Sequence, residues 1–394
     1  MEKRTLTLLI ADLQEIGLGK DVFLVPYYIG KMYHLNVSIV FPKSPANSQL
    51  PPEYRGVKLK PLRFKSNNAF FSFRGEWGFF PFMLRHAREM DVLMRFHFSY
   101  QTFLLALLYK LLNRKSLFYL KSDGYGLFTS LFRKESSLFM RIKNMGIRKI
   151  MHATCRLADI ISVETPEVYN YLRNELPARD SKKLVLMLNG FDEELRVRLQ
   201  IQKRTFMEKE NLILAVGRIG APDKNNEQLL SALESVDLKD WRVVFVGPVE
   251  TSACDFQQKI DRFYAHNPRL KEKVIFTGAV YNKKELWEWY NRARVFVHTS
   301  PKESYGIVLN EAFYFDNFIL STDVGIAGYL IDFGYGQRIK HNDASELATC
   351  LQEIIDGKIA LEKKLQSRTA GSEQLTWENE IAKLGELDSR NRKE

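Results

Sequence analysis

Short apolar runs recur along the chain, and longer helical patterns separate them. Each run is rich in Val, Ile, Leu and Phe and ends at Gly, Asp, Ser or Pro. Such runs are typical of parallel strands in an open α/β sheet, because a strand covered on both faces needs no polar side. The runs are TLTLLIAD, NVSIVFP, DVLMRFH, SLFYLKSD and DIISVET in the first half, and NLILAVGR, WRVVFVGP, KVIFTG, RVFVHTS and NFILSTD in the second.

Two series of strands predict two domains, and a length of 394 residues exceeds what one hydrophobic core usually serves. Between the series, a run ending at Asn189-Gly190 precedes a polar stretch and marks the boundary. We therefore predict an α/β protein with two Rossmann-like doubly wound domains, 1–195 and 205–371, facing a central cleft. Residues 372–394 look helical, and we expect this helix to pack across the domain junction.

The composition is that of an ordinary globular protein, with 45% hydrophobic and 27% charged residues. The first apolar run is too short to span a membrane and lacks a cleavage site of small residues, so we interpret it as a strand. The longest other apolar stretch, 98–112, contains polar residues, so no transmembrane helix is predicted. Cys155, Cys254 and Cys350 are far apart without metal-ligand spacing, which favours a reducing compartment over a disulfide framework or a zinc site.

The net charge of +11 is concentrated in the first half of the chain. Residues 1–200 contain 31 Lys and Arg against 18 Asp and Glu, whereas residues 201–394 contain 27 against 29. Nearly all of the excess lies between positions 51 and 150, with 19 basic and 6 acidic residues. We expect the N-terminal half to meet something anionic.

Ligands of open α/β sheets bind beyond the carboxyl ends of the strands. In the second half, Arg218 and Lys224 follow such a strand, on the loop before a helix that begins near Asn225. Two cations beside a helix N-terminus suit a diphosphate, because the free amides and the positive end of the dipole already favour an anion. Two solvated loop cations are the alternative interpretation.

The segment ESYGIVLNEAF places Glu303 on a loop and Glu311 in the second turn of the helix that follows. An ionised side chain removed from water is costly unless it is paired, so Glu311 is either solvated or holds a polar partner. The vicinal hydroxyls of a ribose would be such a partner, and a salt bridge on the helix is the alternative. Gly306 lets the backbone turn sharply or approach a ligand closely.

The order and spacing of these residues resemble family 4 glycosyltransferases of the B-type fold. The resemblance covers most of the chain and consists of Gly217-Arg218, Lys224, the pattern E-x7-E from Glu303 to Glu311, the first loop EIGLGK, the NGFD segment at 189–192 and a tryptophan-bearing C-terminal helix. The chain departs from the family pattern at Ser304, where Gly is usual, at Asn317 and Phe318, where Gly and Pro are usual, and at Gly325-Ile326, where a Gly-Gly pair is usual.

The resemblance implies transfer of a sugar from a nucleotide-diphosphate donor, mostly with retention of anomeric configuration. Arg218 and Lys224 would hold the diphosphate, and Glu311 the ribose hydroxyls. Glu303 would face the transferred sugar and is the implied catalytic residue. The implied donor-binding residues are Gly217, Arg218, Lys224, Val280, Ser304, Tyr305, Gly306 and Glu311. No metal and no cofactor is expected, since a UDP- or GDP-sugar is the co-substrate.

The first half carries weaker signals for the acceptor. Where the family commonly has a histidine after its fourth strand, this chain reads YLKSDGYG. We favour Asp123 over Lys121 as a second catalytic residue there, because a carboxylate can accept a proton; the alternative is an Asp-Gly turn. Gly17, Gly19 and His97 also follow strands and are candidates for the acceptor-side loops, although a lone histidine is more often structural.

Segments 70–88 and 130–152 mix Phe, Trp, Leu and Met with Arg and Lys. This mixture suits a helix lying in an anionic membrane surface, and packing on the sheet with solvated cations is the alternative. Because the excess charge is confined to the half expected to hold the acceptor, we favour the membrane. The hypothesis is a cytoplasmic enzyme, peripheral on the inner face of the membrane, with a glycan or lipid-linked glycan as acceptor.

Two other function classes are weaker. A nonenzymatic nucleotide-sugar or polyanion-binding protein that kept the fold is less favoured, because Arg218, Lys224, Glu303 and Glu311 are all present. No nucleic acid is expected as a partner, since no recognition helix, zinc finger or RNP motif accompanies the basic half. A nicotinamide-dependent dehydrogenase would need a G-x-G-x-x-G after the first strand, which the chain lacks.

Overall fold

The computed structural model describes residues 3–63, 76–122, 138–251, 255–366, 374–385 and 387. The chain splits into two compact units, which we call unit 1 (Met1–Gly190 and Trp377–Glu394) and unit 2 (Phe191–Thr376). The division therefore falls after Gly190, inside the NGFD segment, and the last helix belongs to unit 1. The predicted packing of that helix across a domain junction stays a prediction.

Each unit contains one β-sheet. The strands of unit 1 are β1 (Thr5–Leu9), β2 (Asn36–Pro42), β3 (Glu53–Tyr54), β4 (Val57–Leu62), β5 (Val92–Phe96), β6 (Leu117–Ser122), β7 (Ile160–Val163) and β8 (Leu184–Leu186). Those of unit 2 are β9 (Glu210–Val216), β10 (Arg242–Val246), β11 (Val274–Phe276), β12 (Ala293–His298), β13 (Phe318–Ser321) and β14 (Gly336–Arg338).

Helices alternate with these strands. They are α1 (Asp21–Met32), α2 (Phe79–His86), α3 (Tyr100–Leu112), α4 (Leu138–Leu157), α5 (Pro166–Glu175), α6 (Ala178–Ser181), α7 (Glu193–Arg198), α8 (Asn226–Leu233), α9 (Phe256–His266), α10 (Lys283–Arg292), α11 (Ile307–Tyr314), α12 (Ala327–Leu330), α13 (Ala344–Ile355), α14 (Leu361–Gln366) and α15 (Trp377–Ala382). Short 3-10 turns lie at Glu15–Gly19, Pro45–Asn47, Ala87–Glu89, Phe206–Glu208 and Pro268–Leu270, and a π turn at Ile331–Tyr335.

The unit 1 sheet has the order β3-β4-β2-β1-β5-β6-β7-β8. Only the pairing of β3 with β4 is antiparallel among its described strands. Successive side chains of β1 enter different hydrophobic clusters, with Leu8 in one and Leu9 in the other. The sheet is therefore covered on both faces, as its apolar strands predict. Trp377 and Ile381 of α15 lie in the cluster that also contains Leu8.

The unit 2 sheet has the order β11-β10-β9-β12-β13-β14, and every described pair is parallel. Its buried core includes Ile213 of β9, Phe245 of β10 and Leu347 of α13. Two parallel α/β sheets confirm the predicted fold class of two Rossmann-like domains.

All ten apolar runs form strands, but β3, β4 and β14 were missed. In β4 the side chains alternate, since Val57 and Leu59 are buried while Lys58 and Lys60 are exposed. This strand lies near the sheet edge and lacks the uniform apolar run that marks a central parallel strand. β14 is a polar edge strand of three residues, GQR. Among the described residues, no helix is both long and apolar enough to cross a bilayer.

A buried charge cluster joins three elements of unit 1. The Lys121 ammonium, at the end of β6, is fully buried and lies 2.8 Å from Asp21 Oδ2 and 2.8 Å from Glu164 Oε2. Asn189 Nδ2 also donates to Glu164 Oε2, at 3.1 Å. Burial lowers the pKa of Lys121, but the charges of Asp21 and Glu164 outweigh burial and raise the pKa above its usual value. The cluster ties the start of α1 to the ends of β6 and β7.

We expect Lys121→Ala to reduce the free energy of unfolding by about 3–5 kcal/mol, because it leaves two carboxylates facing each other without a cation. Urea denaturation followed by circular dichroism measures this loss. Lys31→Ala is the matched control: Lys31 Nζ lies 4.0 Å from Glu378 Oε1 and is half exposed, so its loss should cost under about 1 kcal/mol. Equal losses for the two variants would contradict the prediction.

Candidate functional site

Two loops with predicted site residues meet at the carboxyl edge of the unit 2 sheet. One follows β9 and carries Lys224, and the other follows β12 and carries Glu303. Since β9 and β12 are neighbours in the sheet, their loops lie side by side. The Thr299 hydroxyl, just after β12, donates to the Lys224 carbonyl oxygen at 3.0 Å and fastens one loop to the other.

An ion pair forms the centre of this edge. Lys224 Nζ donates to Glu303 Oε1, and the two side chains are 20% and 13% exposed. His298 Nε2 lies 3.2 Å from the same oxygen. Burial raises the pKa of Glu303, but His298 and Lys224 together lower it by more than burial raises it, and the pKa is about 2. Glu303 is therefore ionised at neutral pH and accepts hydrogen bonds rather than giving up a proton.

Arg218 lies on the same loop as Lys224 and pairs with a carboxylate of that loop. Its guanidinium Nη2 donates to Asp223 Oδ1 and Oδ2, at 2.8 and 2.6 Å, and its side chain is 58% exposed. Gly217, just before it, has φ 154°, and a Cβ at the neighbouring Gly247 would lie 1.7 Å from the Gly217 carbonyl oxygen. The glycines allow this close approach of two strand ends, while Arg218 is held in place by Asp223.

Glu311 is buried on α11, and its partners explain how an apolar run accommodates a carboxylate. Trp287 Nε1 donates to Glu311 Oε1 at 2.9 Å, and Lys283 Nζ donates to the same oxygen. Both donors lie on α10 at i and i+4, which places them on one face of that helix. The buried Tyr290 hydroxyl, also on α10, lies close to this carboxylate, and burial together with the charge of Glu311 raises the pKa of Tyr290 well above its usual value. The sequence reasoning missed Lys283 and Trp287, although the i, i+4 spacing is visible in KKELW.

The helices that begin at the site have no side-chain cap. Ser99, Thr165 and Asn282 precede other helices and accept backbone N–H bonds from the first turn. By contrast, α8 begins at Asn225 and α11 at Gly306, with φ 46° and 89°, and no described side chain caps either helix. Their first amides therefore keep donors for an anion.

The loop before α11 is fixed from behind by Gly325. This glycine has φ 55°, and a Cβ there would lie 2.1 Å from the Tyr305 carbonyl oxygen. Ile326 N–H donates to that carbonyl at 2.8 Å. The Tyr305 side chain is buried and its hydroxyl donates to Asn310 Oδ1 at 3.1 Å, whereas Ser304 is exposed. Of the predicted donor residues in this loop, Tyr305 thus supports the fold with its side chain.

Val280 and the candidate acceptor-side residues lie in the connections that follow strands. Val280 is half-buried on the loop after β11. In unit 1, Gly17 and Gly19 lie in the 3-10 turn between β1 and α1, with Gly17 buried and Gly19 exposed. His97 is exposed, has φ 61°, and donates its N–H to the Lys121 carbonyl at 2.8 Å. Asp123 lies outside the described residues.

Arg95 is a buried cation that the sequence reasoning did not single out. Its Nη1 donates to the Leu9 carbonyl at 2.6 Å, and its Nη2 to Glu76 Oε2 at 3.0 Å. It belongs to β5, beside β1, and braces the carboxyl end of β1 from within. Within the part of the chain that the structure describes, no group of three or more His, Cys, Asp or Glu side chains could hold a metal ion.

Comparison with known families finds a match in the second half of the chain. The family model described as "Glycosyl transferases group 1" matches residues 197–371. No curated protein sequence matches the chain.

Solved structures match nearly the whole chain at low identity. Sucrose-phosphate synthase from Thermosynechococcus elongatus is 17% identical, with a TM-score of 0.67 over 99% of each chain. HepE from Anabaena, in complex with UDP, is 15% identical, with a TM-score of 0.69 over 98% of this chain and 100% of its own. The lipopolysaccharide outer core galactosyltransferase WaaB is 11% identical, with a TM-score of 0.65 over 98% and 99%. These likenesses show the fold, which is that of the B-type glycosyltransferases.

We expect Gly325→Ala to lower the thermal unfolding temperature more than Gly278→Ala. Both glycines have positive φ, 55° and 74°, so each alanine carries the strain of the left-handed region. Only the Cβ at position 325 meets the Tyr305 carbonyl, whereas position 278 is open. Differential scanning calorimetry compares the two, and a smaller loss at 325 than at 278 would show that the loop before α11 does not depend on this contact.

Proposed function

We propose that the protein transfers a sugar from a nucleotide-diphosphate sugar to a glycan, glycolipid or protein-linked glycan, with retention of anomeric configuration; the match of residues 197–371 to the glycosyl transferases group 1 model supports this. The proposal rests on the arrangement of charged side chains at the carboxyl edge of the unit 2 sheet. There Lys224 and Glu303 meet beside the uncapped start of α11, and Glu311 is buried within that helix. This set matches the diphosphate, the sugar and the ribose of one donor.

The diphosphate is the group that leaves when the sugar is transferred. The bond from the anomeric carbon to the diphosphate oxygen breaks, and the acceptor hydroxyl forms the new bond to that carbon. Negative charge grows on the leaving diphosphate, where Lys224, Arg218 and the first amides of α8 and α11 would stabilise it. For Arg218 this requires the guanidinium to leave Asp223, which its exposed position allows.

Glu303 would act on the sugar as an ionised carboxylate. A group with a pKa near 2 does not protonate a leaving oxygen at neutral pH, so we assign Glu303 to accept hydrogen bonds from sugar hydroxyls. Glu311 would accept from the ribose hydroxyls, while Trp287 and Lys283 hold Oε1. The catalytic assignment of Asp123 is kept as a proposal from the sequence.

UDP-sugars are the first donors to test. HepE, which shares the fold, has been solved with UDP, with UDP and glucose, and with UDP-glucose. GDP-sugars are the second choice. The fixed cations and helix termini of unit 2 supply positive charge to a diphosphate, so we propose that no metal ion and no cofactor is needed.

The acceptor side of the proposal rests on the surface of α4. Ile142 and Met145 are more than half exposed on this helix, and the neighbouring Arg141, Lys143 and Lys149 are exposed as well. Ile147 instead packs against the unit 1 core, so only part of the apolar set predicted from the sequence faces outward. Positions 130–137 of that segment lie outside the described residues. We propose that this face binds an anionic membrane surface on the cytoplasmic side, where a lipid-linked glycan would be the acceptor.

A thermal-shift panel tests the proposed function. UDP-glucose, UDP-galactose, GDP-mannose and ADP-glucose are each added to the purified protein, with and without EDTA. We expect at least one nucleotide sugar to raise the unfolding temperature, equally in EDTA, because a bound donor stabilises the folded state. If none does so, the protein is not a nucleotide-sugar transferase. Binding without release of the nucleotide diphosphate favours the nonenzymatic alternative.

We expect Lys224→Ala and Glu311→Ala each to reduce turnover at least about tenfold in a protein that still folds, because one removes a diphosphate cation and the other the ribose acceptor. Release of the nucleotide diphosphate from the donor identified above is the measurement. Lys259→Ala is the control, since Lys259 also pairs with a carboxylate, Glu227, on the surface of unit 2. Turnover near that of the wild type in either site variant would refute the assigned role.

We expect the protein to float with anionic liposomes and to be released as salt rises, because the attraction is screened. The double variant Ile142→Ser/Met145→Ser should float less. Val197→Ser/Met207→Ser is the matched control, because these side chains are 59% and 66% exposed but belong to unit 2. Equal recovery with neutral and anionic liposomes, or none with either, would leave a soluble acceptor as the better proposal.

A further inference from the structure

Two different side chains, those of Lys224 and His298, lie close to the same oxygen of Glu303, Oε1. Lys224 reaches Oε1 from a loop and keeps 20% of its side chain exposed. His298 Nε2 lies 3.2 Å from Oε1 and belongs to the last residue of β12, with a side chain 4% exposed. A lysine has a flexible four-carbon stem, whereas a ring buried at the end of a central strand is fixed. Lys224 can therefore turn away from Glu303 and His298 cannot.

A bound diphosphate would draw Lys224 away from Glu303. The ammonium already stands between two carboxylates, since Asp223 Oδ2 lies 4.0 Å from it. A diphosphate carries more negative charge than one carboxylate and therefore attracts the ammonium more strongly. Glu303 then remains ionised beside the diphosphate. Its closest cation, Lys224, is either shared with the diphosphate or lost to it. Such a carboxylate turns away from the anion unless another donor holds it.

His298 is the donor in the right place. Its Nε2 is buried and has no hydrogen-bond partner among the described residues, although Glu303 Oε1 is within reach at 3.2 Å. A buried ring nitrogen without a partner is unfavourable. A small rotation of the Glu303 carboxylate, once Lys224 has moved, would complete the bond. The ring also lies 6.2 Å from Phe296, nearly parallel to it, within the strand that ends at the site.

We propose that His298 is a positioning residue: it holds the Glu303 carboxylate toward the sugar of the donor after Lys224 has moved to the diphosphate. The inference rests on the proposed function. It adds a residue that contributes to recognition of the sugar but not of the nucleotide. Loss of His298 should therefore weaken binding of a nucleotide sugar and spare binding of the nucleotide alone. A merely structural role would weaken both.

Calorimetric titration with UDP and UDP-glucose, and with GDP and GDP-mannose, measures how much the sugar adds to affinity. The relevant quantity is the ratio of the Kd of the nucleotide to the Kd of its sugar, for whichever pair the wild type binds. We expect His298→Leu, which keeps most of the volume but no donor, to lower this ratio about tenfold, in line with a hydrogen bond to a charged group. The Kd of the nucleotide alone should remain nearly unchanged. His266→Leu, at an exposed histidine of unit 2, is the control and should change neither value.

Two further variants keep the test decisive if His298→Leu does not fold. The amide nitrogen of Gln reaches about as far as Nε2 of histidine, and that of Asn only as far as Nδ1. We expect His298→Gln to restore most of the ratio and His298→Asn not to. An unchanged ratio in His298→Leu, equal effects of Gln and Asn, or a wild-type ratio of one would overturn the inference while the proposed function stands. If the thermal-shift panel identifies another donor, that donor and its own nucleotide are titrated in the same way; a wild type that binds no compound in either experiment would overturn both.

Discussion

Lys224 and Glu303 meet because β9 and β12 are neighbours in a parallel sheet, and the candidate site depends on this adjacency. The two residues are 79 positions apart in sequence. In a parallel sheet every strand ends at the same edge, so loops from distant parts of the chain converge there. The Thr299 bond to the Lys224 carbonyl makes the convergence tight. α8 and α11 each continue from one of these loops, so their uncapped starts lie at the same edge of the sheet.

The buried charges of both units follow one rule, which is that each has a partner of opposite charge or several hydrogen bonds. Lys121 has two carboxylates, Glu311 has an ammonium and an indole N–H, and Arg95 has a carbonyl and a carboxylate. Without such partners the desolvation of an ion would outweigh the packing around it. The clusters differ in their place. Lys121 is enclosed by its partners in unit 1, whereas Glu311 lies on the helix that begins at the candidate site.

The charges of the two units are distributed differently, as expected if each unit binds a different kind of anionic ligand. Unit 2 combines nearly balanced charge with a few cations placed around one sheet edge, which suits a small anionic ligand held by geometry. Unit 1 carries the basic excess over a broad surface, part of which lies on the exposed face of α4 next to Ile142 and Met145. A diffuse basic surface attracts an extended anion through many weak contacts, each screened by salt.

The sequence by itself determined the fold class, the strands and the residues to inspect. Buried parallel strands are uniform apolar runs, a local property that needs no knowledge of the rest of the chain. It also placed Lys224, Glu303 and Glu311 near loops and helix starts. The alternating strand β4 and the polar strand β14 escaped this reasoning because strands at a sheet edge or next to it keep solvated positions.

Only the tertiary structure decided which partner each charged side chain has. Sequence spacing could not show that Arg218 pairs with Asp223, that Trp287 and Lys283 receive Glu311, or that His298 stands 3.2 Å from Glu303. Trp287 and Lys283 lie 24 and 28 positions from Glu311, so the packing of α10 against α11 brings them together. Arg218 and His298 are close in sequence to their partners, and the conformation of each loop decides those contacts. Local pattern depends on the period of one strand or helix, whereas a site depends on how several of them are arranged, and that arrangement is settled by packing of the whole unit.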